Sequence, residues 1–353
     1  IGDTFKKDDL NRLLLLFSLI SIPYACLVVY QYSAGPSAWI NIGVGADDRA
    51  AVGLGGSILR PFGLFTYTGP NVDFTAASVA MFIAFYLSPV RRRWRTPLLI
   101  AAGAAVGSMA VLTGSRSIYF LVAAILGLTV IGSFITRPNL RTLSRSFGVL
   151  AFAGIAAGLF LTIFSDMFAA MEARFATAAR AEGSLWDRAT NGAFSFIDPL
   201  FTAPILGHGI GIGAPGVAGF LGLPPLFYGE SDLQRNVNEL GVLLGLIFVL
   251  LRFGTAAWIA LIAMRLASRG AVLALPLAGY TILPIAVGQI TGSTLNGFLP
   301  WMAVGLLLSI RAGSMSRRTS RNSEGEQTWS RHDDGGIFHR AAESGLSRRA
   351  WRG

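Results

Sequence analysis

The sequence predicts an all-α membrane protein, a polytopic bundle of transmembrane helices with one large polar excursion on one face. Three observations predict it. Hydrophobic residues fill 53% of 353 positions and charged residues only 14%, too few to wet the surface of a soluble domain this long. Several stretches run eighteen or more residues with almost no charge, enough at about 1.5 Å per residue to cross a hydrocarbon core of about 30 Å. One segment, Ser165 to Glu239, then breaks the pattern with Glu172, Arg174, Arg180, Glu182, Asp187, Arg188, Asp198, His208, Glu230, Asp232 and Arg235.

Eight spans are predicted in order. The first covers about Arg12–Tyr32, and a Gly-rich connection carrying Trp39, Asp47, Asp48, Arg49 and Arg60 leads out of it. The second covers about Val72–Pro89 and ends at Arg91-Arg92-Arg93-Trp94-Arg95. The third, about Pro97–Thr113, turns through Gly114-Ser115-Arg116-Ser117 into the fourth, about Ile118–Ile135. Arg137, Arg141 and Arg145 precede the fifth, about Phe147–Phe164. After the excursion come the sixth (Leu240–Met264), the seventh (Ala271–Ile290) and the eighth (Leu295–Ile310).

The basic connections after spans two, four and six fall on one side, together with Lys6, Lys7 and the tail from Arg311. Cytoplasmic loops carry the excess of Lys and Arg, so that side is predicted to be cytoplasmic. The connection 33–70, the turn at Arg116, the excursion and the turn Thr291–Leu295 then face the periplasm or cell exterior. The chain divides into a membrane domain, residues 1–310 with its excursion at 165–239, and a basic cytoplasmic tail, 311–353. That tail is rich in Ser, Arg and Gly and is predicted to be disordered. Because Ile1 is not an initiator methionine, further sequence is expected upstream.

Composition removes several function classes. The net charge of +10 is not a nucleic-acid footprint, because nine of the 27 arginines lie between Arg311 and Arg352 and most others flank spans. There they report orientation and contact with lipid headgroups. The single cysteine, Cys26, sits in an apolar run and rules out a disulfide framework. With two of three histidines in the tail, no multi-histidine metal centre is expected. No cofactor is called for.

Within the excursion, Ser165–Arg180 reads as an amphipathic helix with Phe164, Phe168, Met171 and Phe175 on one side. Leu185–Phe196 reads as a second, ended by Asp198-Pro199. The run Leu206-Gly207-His208-Gly209-Ile210-Gly211-Ile212-Gly213 looks like a nucleotide fingerprint, but no strand precedes it. Its glycines suit a backbone that approaches a ligand or packs beside a helix. Arg116 is either an interfacial arginine that snorkels or a fixed cation for an anionic lipid-linked substrate. Arg235 and Glu239, four apart, form either a plain surface ion pair or a phosphate-binding arginine beside a general base. Glu239 at a helix start would also be favoured by the macrodipole alone. Gly241 and Gly245 are spaced for close helix packing.

Taken in order, five elements carry a resemblance: Arg60-Pro61-Phe62-Gly63-Leu64-Phe65, Thr113-Gly114-Ser115-Arg116-Ser117, Arg188 with Phe194–Asp198, Pro204 to Gly211, and Asn238-Glu239-Leu240-Gly241. Together they resemble the O-antigen ligase/polymerase family and its exopolysaccharide polymerase relatives, over about residues 10–310. The resemblance implies a GT-C-like bundle in a bacterial inner membrane, with about four more spans upstream. It implies a metal-independent glycosyltransferase that takes glycan from an undecaprenyl-pyrophosphate carrier in a large periplasmic loop. Its partners would be that carrier-linked oligosaccharide, membrane lipids and, as a further candidate, a chain-length regulator.

Where the ligase branch has a histidine just ahead of its Glu-x-Gly segment, this chain has Arg235-Asn236. That departure argues against the lipid A core ligase. On this reading Arg116, Arg188 and Arg235 contact pyrophosphate, and Glu230, Glu239 or His208 deprotonates the acceptor, with nothing in the residues deciding among the three. Two alternatives stay open: a ligase of the same family, and a non-enzymatic transporter or flippase. Transporters place ionisable groups at mid-membrane beside broken helices. The sequence has no evident internal repeat, and Arg252 is the exception to otherwise charge-free span centres.

Overall fold

The computed structural model describes residues 7–42, 53–55, 58–88, 94–136, 139–182, 185–213, 217, 220, 222, 231–291 and 296–311. The tail from residue 312, Glu230 and the arginines 91–93 and 137 lie outside that set. The described chain is a helical bundle. Its helices are α1 (Lys7–Ala34), α2 (Thr68–Leu87), α3 (Arg95–Leu112), α4 (Arg116–Thr136), α5 (Leu140–Ile163), α6 (Ser165–Glu182), α7 (Leu185–Phe194) and α8 (Ile197–Thr202). They continue with α9 (Asp232–Ser268), α10 (Ala274–Val287) and α11, residues 296–311. A two-stranded antiparallel ribbon, Gly53–Gly55 with Ile58–Leu59, lies in the first connection.

Five helices, α1, α2, α3, α4 and α9, are long and apolar enough to cross a membrane. Residues 146–160 of α5 pass the same test only together with 165–173 of α6, across a 90° bend. The fourteen residues of α10 amount to about 21 Å, short of a full crossing. The eight predicted spans thus each find a helix, while among the described residues five are both long and apolar enough to cross on their own. Leu243, Leu244, Ile247, Leu250, Leu251 and Trp258 on α9, with Ile131, Phe134 and Ile135 on α4, form exposed apolar stripes. Such a surface suits hydrocarbon rather than water, so this is a membrane protein.

Helix directions follow from side-chain pairs. Ser88 Oγ donates to Asn11 at 2.9 Å and Tyr24 Oη to Asn71 at 2.7 Å, so α1 and α2 are antiparallel. Gly103 abuts Phe152 and Gly107 abuts Phe160, which makes α3 and α5 parallel. Gly279 meets Ile125, and Gly132 meets Leu275, which makes α4 and α10 antiparallel. A methyl group on Gly279 would sit 2.7 Å from the Ile125 Cα, so these two backbones touch. The centre of the bundle is α2, whose Ala76, Ala77, Ala80 and Ala84 are fully buried and let neighbouring helices close in. In consequence the connection after α1, the turn at Gly114, the segment after α5 and the turn after α10 share one end of the bundle. The connections after α2 and α4, and the end of α9 with Arg265 in its last turn and Arg269 at its cap, share the other.

Three readings are corrected. Asp198-Pro199 begins α8 rather than ending the helix before it, since proline is tolerated in a first turn. Helix α7 stops at Phe194. The sixth helix starts at Asp232, eight residues before the predicted Leu240, and it is not straight: Gly241 has φ 83° and ψ 172° inside it.

Candidate active site

A continuous helix would hold Asp232 and Arg252 roughly 30 Å apart, at about 1.5 Å for each of the intervening steps. Instead Arg252 Nη1 reaches Asp232 Oδ2 at 3.0 Å. The chain reverses at Gly241, and residues 232–240 lie folded back along the rest of α9. A methyl on Gly245 would stand 2.7 Å from the Val237 Cα, so Gly245 serves this hairpin rather than a contact between separate helices. Leu233, Val237 and Val249 pack together under Phe196, Leu200 and Ala203, so α8 backs the folded segment.

The break exposes backbone groups that a helix would pair internally, and the glycine-rich loop takes them up. His208 N–H donates to Asn238 O at 3.0 Å, Gly209 N–H to Glu239 O at 3.1 Å, and Val242 N–H to Pro204 O at 3.3 Å. Gly207 and Gly241 both have positive φ (72° and 83°), and a side chain on either would overlap backbone of the other segment. Glycine is required at both positions for two independent reasons.

The carboxylate of Glu239 completes the docking. Gly211 N–H donates to Oε2 at 3.0 Å and Gly213 N–H to Oε1 at 2.9 Å, while Arg235 Nε stands 3.8 Å from Oε1. Of the two readings of the Arg235 and Glu239 pair, the plain surface ion pair does not hold, because their side chains are only 15% and 8% exposed.

Beneath this lies a buried ionic network. Asp232 accepts from Arg235 Nη2 and, at 3.0 Å, from Arg252 Nη1. It also accepts from the Thr291 N–H at 3.1 Å and is 2.8 Å from the Thr291 hydroxyl. Thr291 Oγ1 in turn accepts from Arg235 Nη2 at 2.8 Å. Arg252 spends its other donors on the end of α10: Ile285 O at 2.8 Å, Pro284 O at 3.3 Å and Gly288 O at 2.5 Å. A guanidinium at a helix C-terminus satisfies orphan carbonyls and complements the macrodipole. Asn236 presents a buried amide nitrogen that finds no partner among the described residues. Between the two arginines, only Arg235 keeps enough exposure to meet a substrate, since Arg252 is 3% exposed.

The remaining candidates are placed as follows. Arg116 opens α4 at the same end, half-buried. Ile125 faces Gly279, and Arg116 precedes the one by nine residues as Gly288 follows the other by nine, so the antiparallel pair sets Arg116 at roughly the height of Gly288. Arg60 Nε donates to Thr113 O at 3.2 Å, which joins Arg60 to the turn that carries Arg116. Arg116 and Arg235 therefore both border the end of α10. His208 is exposed, with Nδ1 at 3.1 Å from the Asn238 carbonyl. A carbonyl only accepts, so Nδ1 carries the proton and the neutral ring has its lone pair on Nε2. Arg188 lies on α7, its side chain outside the described set, and Glu230 is outside it altogether. Sequence reasoning missed Asp232 and Thr291 as the hub. The one signal was Arg252, whose cost in an apolar span demands a buried partner. Among the described residues, no three His, Cys, Asp or Glu side chains gather as a metal site would need.

Comparison with protein-family models, curated proteins and solved structures finds no match to this chain.

Proposed function

We propose that this protein is a bacterial inner-membrane polysaccharide polymerase, transferring glycan from an undecaprenyl-pyrophosphate carrier to an acceptor sugar at the periplasmic face. In this reading the eight helices belong to a GT-C-like bundle, and residues 165–239 form the periplasmic excursion. The observation that carries it is the gathering of Arg235, the glycine-rich loop and the broken helix at the end of α10, level with Arg116. The acceptor hydroxyl attacks the anomeric carbon. A new C–O bond forms, the bond to the diphosphate oxygen breaks with its electron pair, and the hydroxyl proton passes to a base.

Diphosphate is a good leaving group, so the protein has mainly to position both partners and neutralise developing charge. Arg235 and Arg116 serve that need, with Arg188 as a third contact from α7. For the base, Glu230, Glu239 and His208 stay as the candidates, Glu239 with its carboxylate on two loop N–H groups and His208 with its Nδ1 at the Asn238 carbonyl. Replacing Arg116 or Arg235 with alanine is expected to shorten surface polymer. Full-length polymer from both variants, at normal protein levels, would remove the site.

A second reading has one observation in its favour. A helix broken at Gly241 beside the buried Arg252–Asp232 pair is also how transporters build their sites. A flippase would move carrier-linked glycan across vesicles without lengthening it, so a product assay on purified protein separates the two.

A further inference from the structure

The end of the loop, residues 211–213, holds an anionic group through its backbone, and that group is the protein's own Glu239 carboxylate. The N–H groups of Gly207, His208 and Gly209 donate to the carbonyls of Pro204, Asn238 and Glu239, and beyond Gly211, with φ 85°, the loop turns its next N–H groups to an anion. Concave runs of this kind bind anions through the backbone. Two of the N–H groups, Gly211 and Gly213, converge on separate oxygens of one anionic group, the Glu239 carboxylate. Arg235 stands beside that carboxylate with its Nε at 3.8 Å, too long for a good hydrogen bond. A methyl on Gly213 would fall 2.7 Å from the Arg235 side chain and 2.9 Å from Glu239 Oε1, so loop, guanidinium and anion already share one volume.

Resting on the reading above, we propose that this cradle is the diphosphate site of the carrier lipid and that Glu239 occupies it as an internal stand-in until substrate arrives. A diphosphate brings more charge and more acceptor oxygens than a carboxylate, and pairs with Arg235 bidentately. It displaces Glu239 and takes over the N–H groups of Gly211 and Gly213. The apparent affinity of such a site is reduced by the fraction of molecules in which the stand-in is seated. The arrangement keeps the loop ordered between turnovers and favours ligands that compete with a carboxylate.

The test is binding of inorganic pyrophosphate, and of farnesyl pyrophosphate in bicelles, to the purified full chain and to its Glu239→Gln and Glu239→Ala variants. Removing the stand-in charge is expected to tighten both ligands by roughly tenfold. A gain for the lipid form well above that for pyrophosphate identifies a headgroup site, whereas equal gains identify a general diphosphate site. Either supports the cradle. Wild type that binds, with variants that bind equally or more weakly, overturns the inference and leaves the function standing. So does collapse of both variants, which would make Glu239 an anchor of the loop. Absence of binding to all three proteins overturns the function along with it.

Discussion

Two arginines, Arg95 half-buried and Arg252 buried, cap helix ends at opposite ends of this bundle, and they are built differently. Arg95 lies at the C-terminus of α2, its Nη2 donating to Phe85 O, Tyr86 O and Ser88 O at 2.9, 2.8 and 2.8 Å, with the Phe85 ring 5.6 Å beneath its guanidinium carbon. Arg252 does the same for α10 through three carbonyls, but adds the Asp232 carboxylate, which in turn engages Arg235 and Thr291. The first closes a helix end with carbonyls and an aromatic ring. The second turns a cap into the floor of a site, because the carboxylate it holds aims a second, more exposed arginine. Closing a helix end needs one guanidinium; holding a second, partly exposed arginine in place needs the network.

The largest expected effect breaks that network at its hub. Asp232→Ala strands two guanidinium groups and the Thr291 N–H. Removing one partner of a buried ion pair costs about 3–5 kcal/mol, because the other charge stays buried and uncompensated. Thermal unfolding in nanodiscs is expected to show a loss of that order, and polymer should vanish. A double variant, Asp232→Leu with Arg252→Met, removes both charges and is expected to recover much of the stability while remaining inactive. Recovery of activity as well would mean that the network only holds the fold.

Next in size is the break itself. Gly241→Ala forces a side chain into φ 83°, worth about 1–3 kcal/mol in backbone strain alone. It also pushes the new methyl into the Ile205 carbonyl and the Gly207 nitrogen. The loop is expected to leave its dock, so protease cleavage within 204–213 should accelerate while the rest of the bundle resists. A variant whose loop stays protected would show that the two glycines are incidental to the docking.

How much of this could be read from residues alone differs between the two ends. The apolar runs located every long helix, because a span must be apolar over its full length whatever it packs against. Among the described residues, the helix ends that carry Arg95, Arg141 and Arg265 lie at one end of the bundle. The site end was less legible. Leu240 to Met264 reads as one uninterrupted span, and a glycine inside such a run announces only a modest loss of helix propensity. Nothing local says that Gly241 reverses the chain and sends Asp232 back to Arg252, twenty positions on. The elements around Arg60 and Arg116 were singled out separately and meet through the Thr113 carbonyl. The segments Pro204–Gly211 and Asn238–Gly241 were likewise separate, and they meet backbone to backbone. These meetings are tertiary, and a sequence lists their parts without the pairing.

The smallest expected effect returns to Arg95. Alanine there removes the guanidinium donor from three carbonyls at the end of α2, of which Phe85 O keeps the Ser88 N–H, and removes the contact with the Phe85 ring. Hydrogen bonds from a charged donor contribute about 1.5–3 kcal/mol each in favourable cases, but these three share one terminal nitrogen, and water at a bundle end replaces part of what is lost. A loss of roughly 1–2 kcal/mol in unfolding free energy is therefore expected. Arg95→Lys should restore only part of it, since an ammonium group lacks the planar fork and stacks poorly on an aromatic face. Polymer length should stay at the wild-type value in both variants, because the damage lies at the end of the bundle away from Arg235. Shortened polymer from Arg95→Ala, at a stability matched to an active control, would show that the two ends are coupled, and the division between a cap and a site would fail.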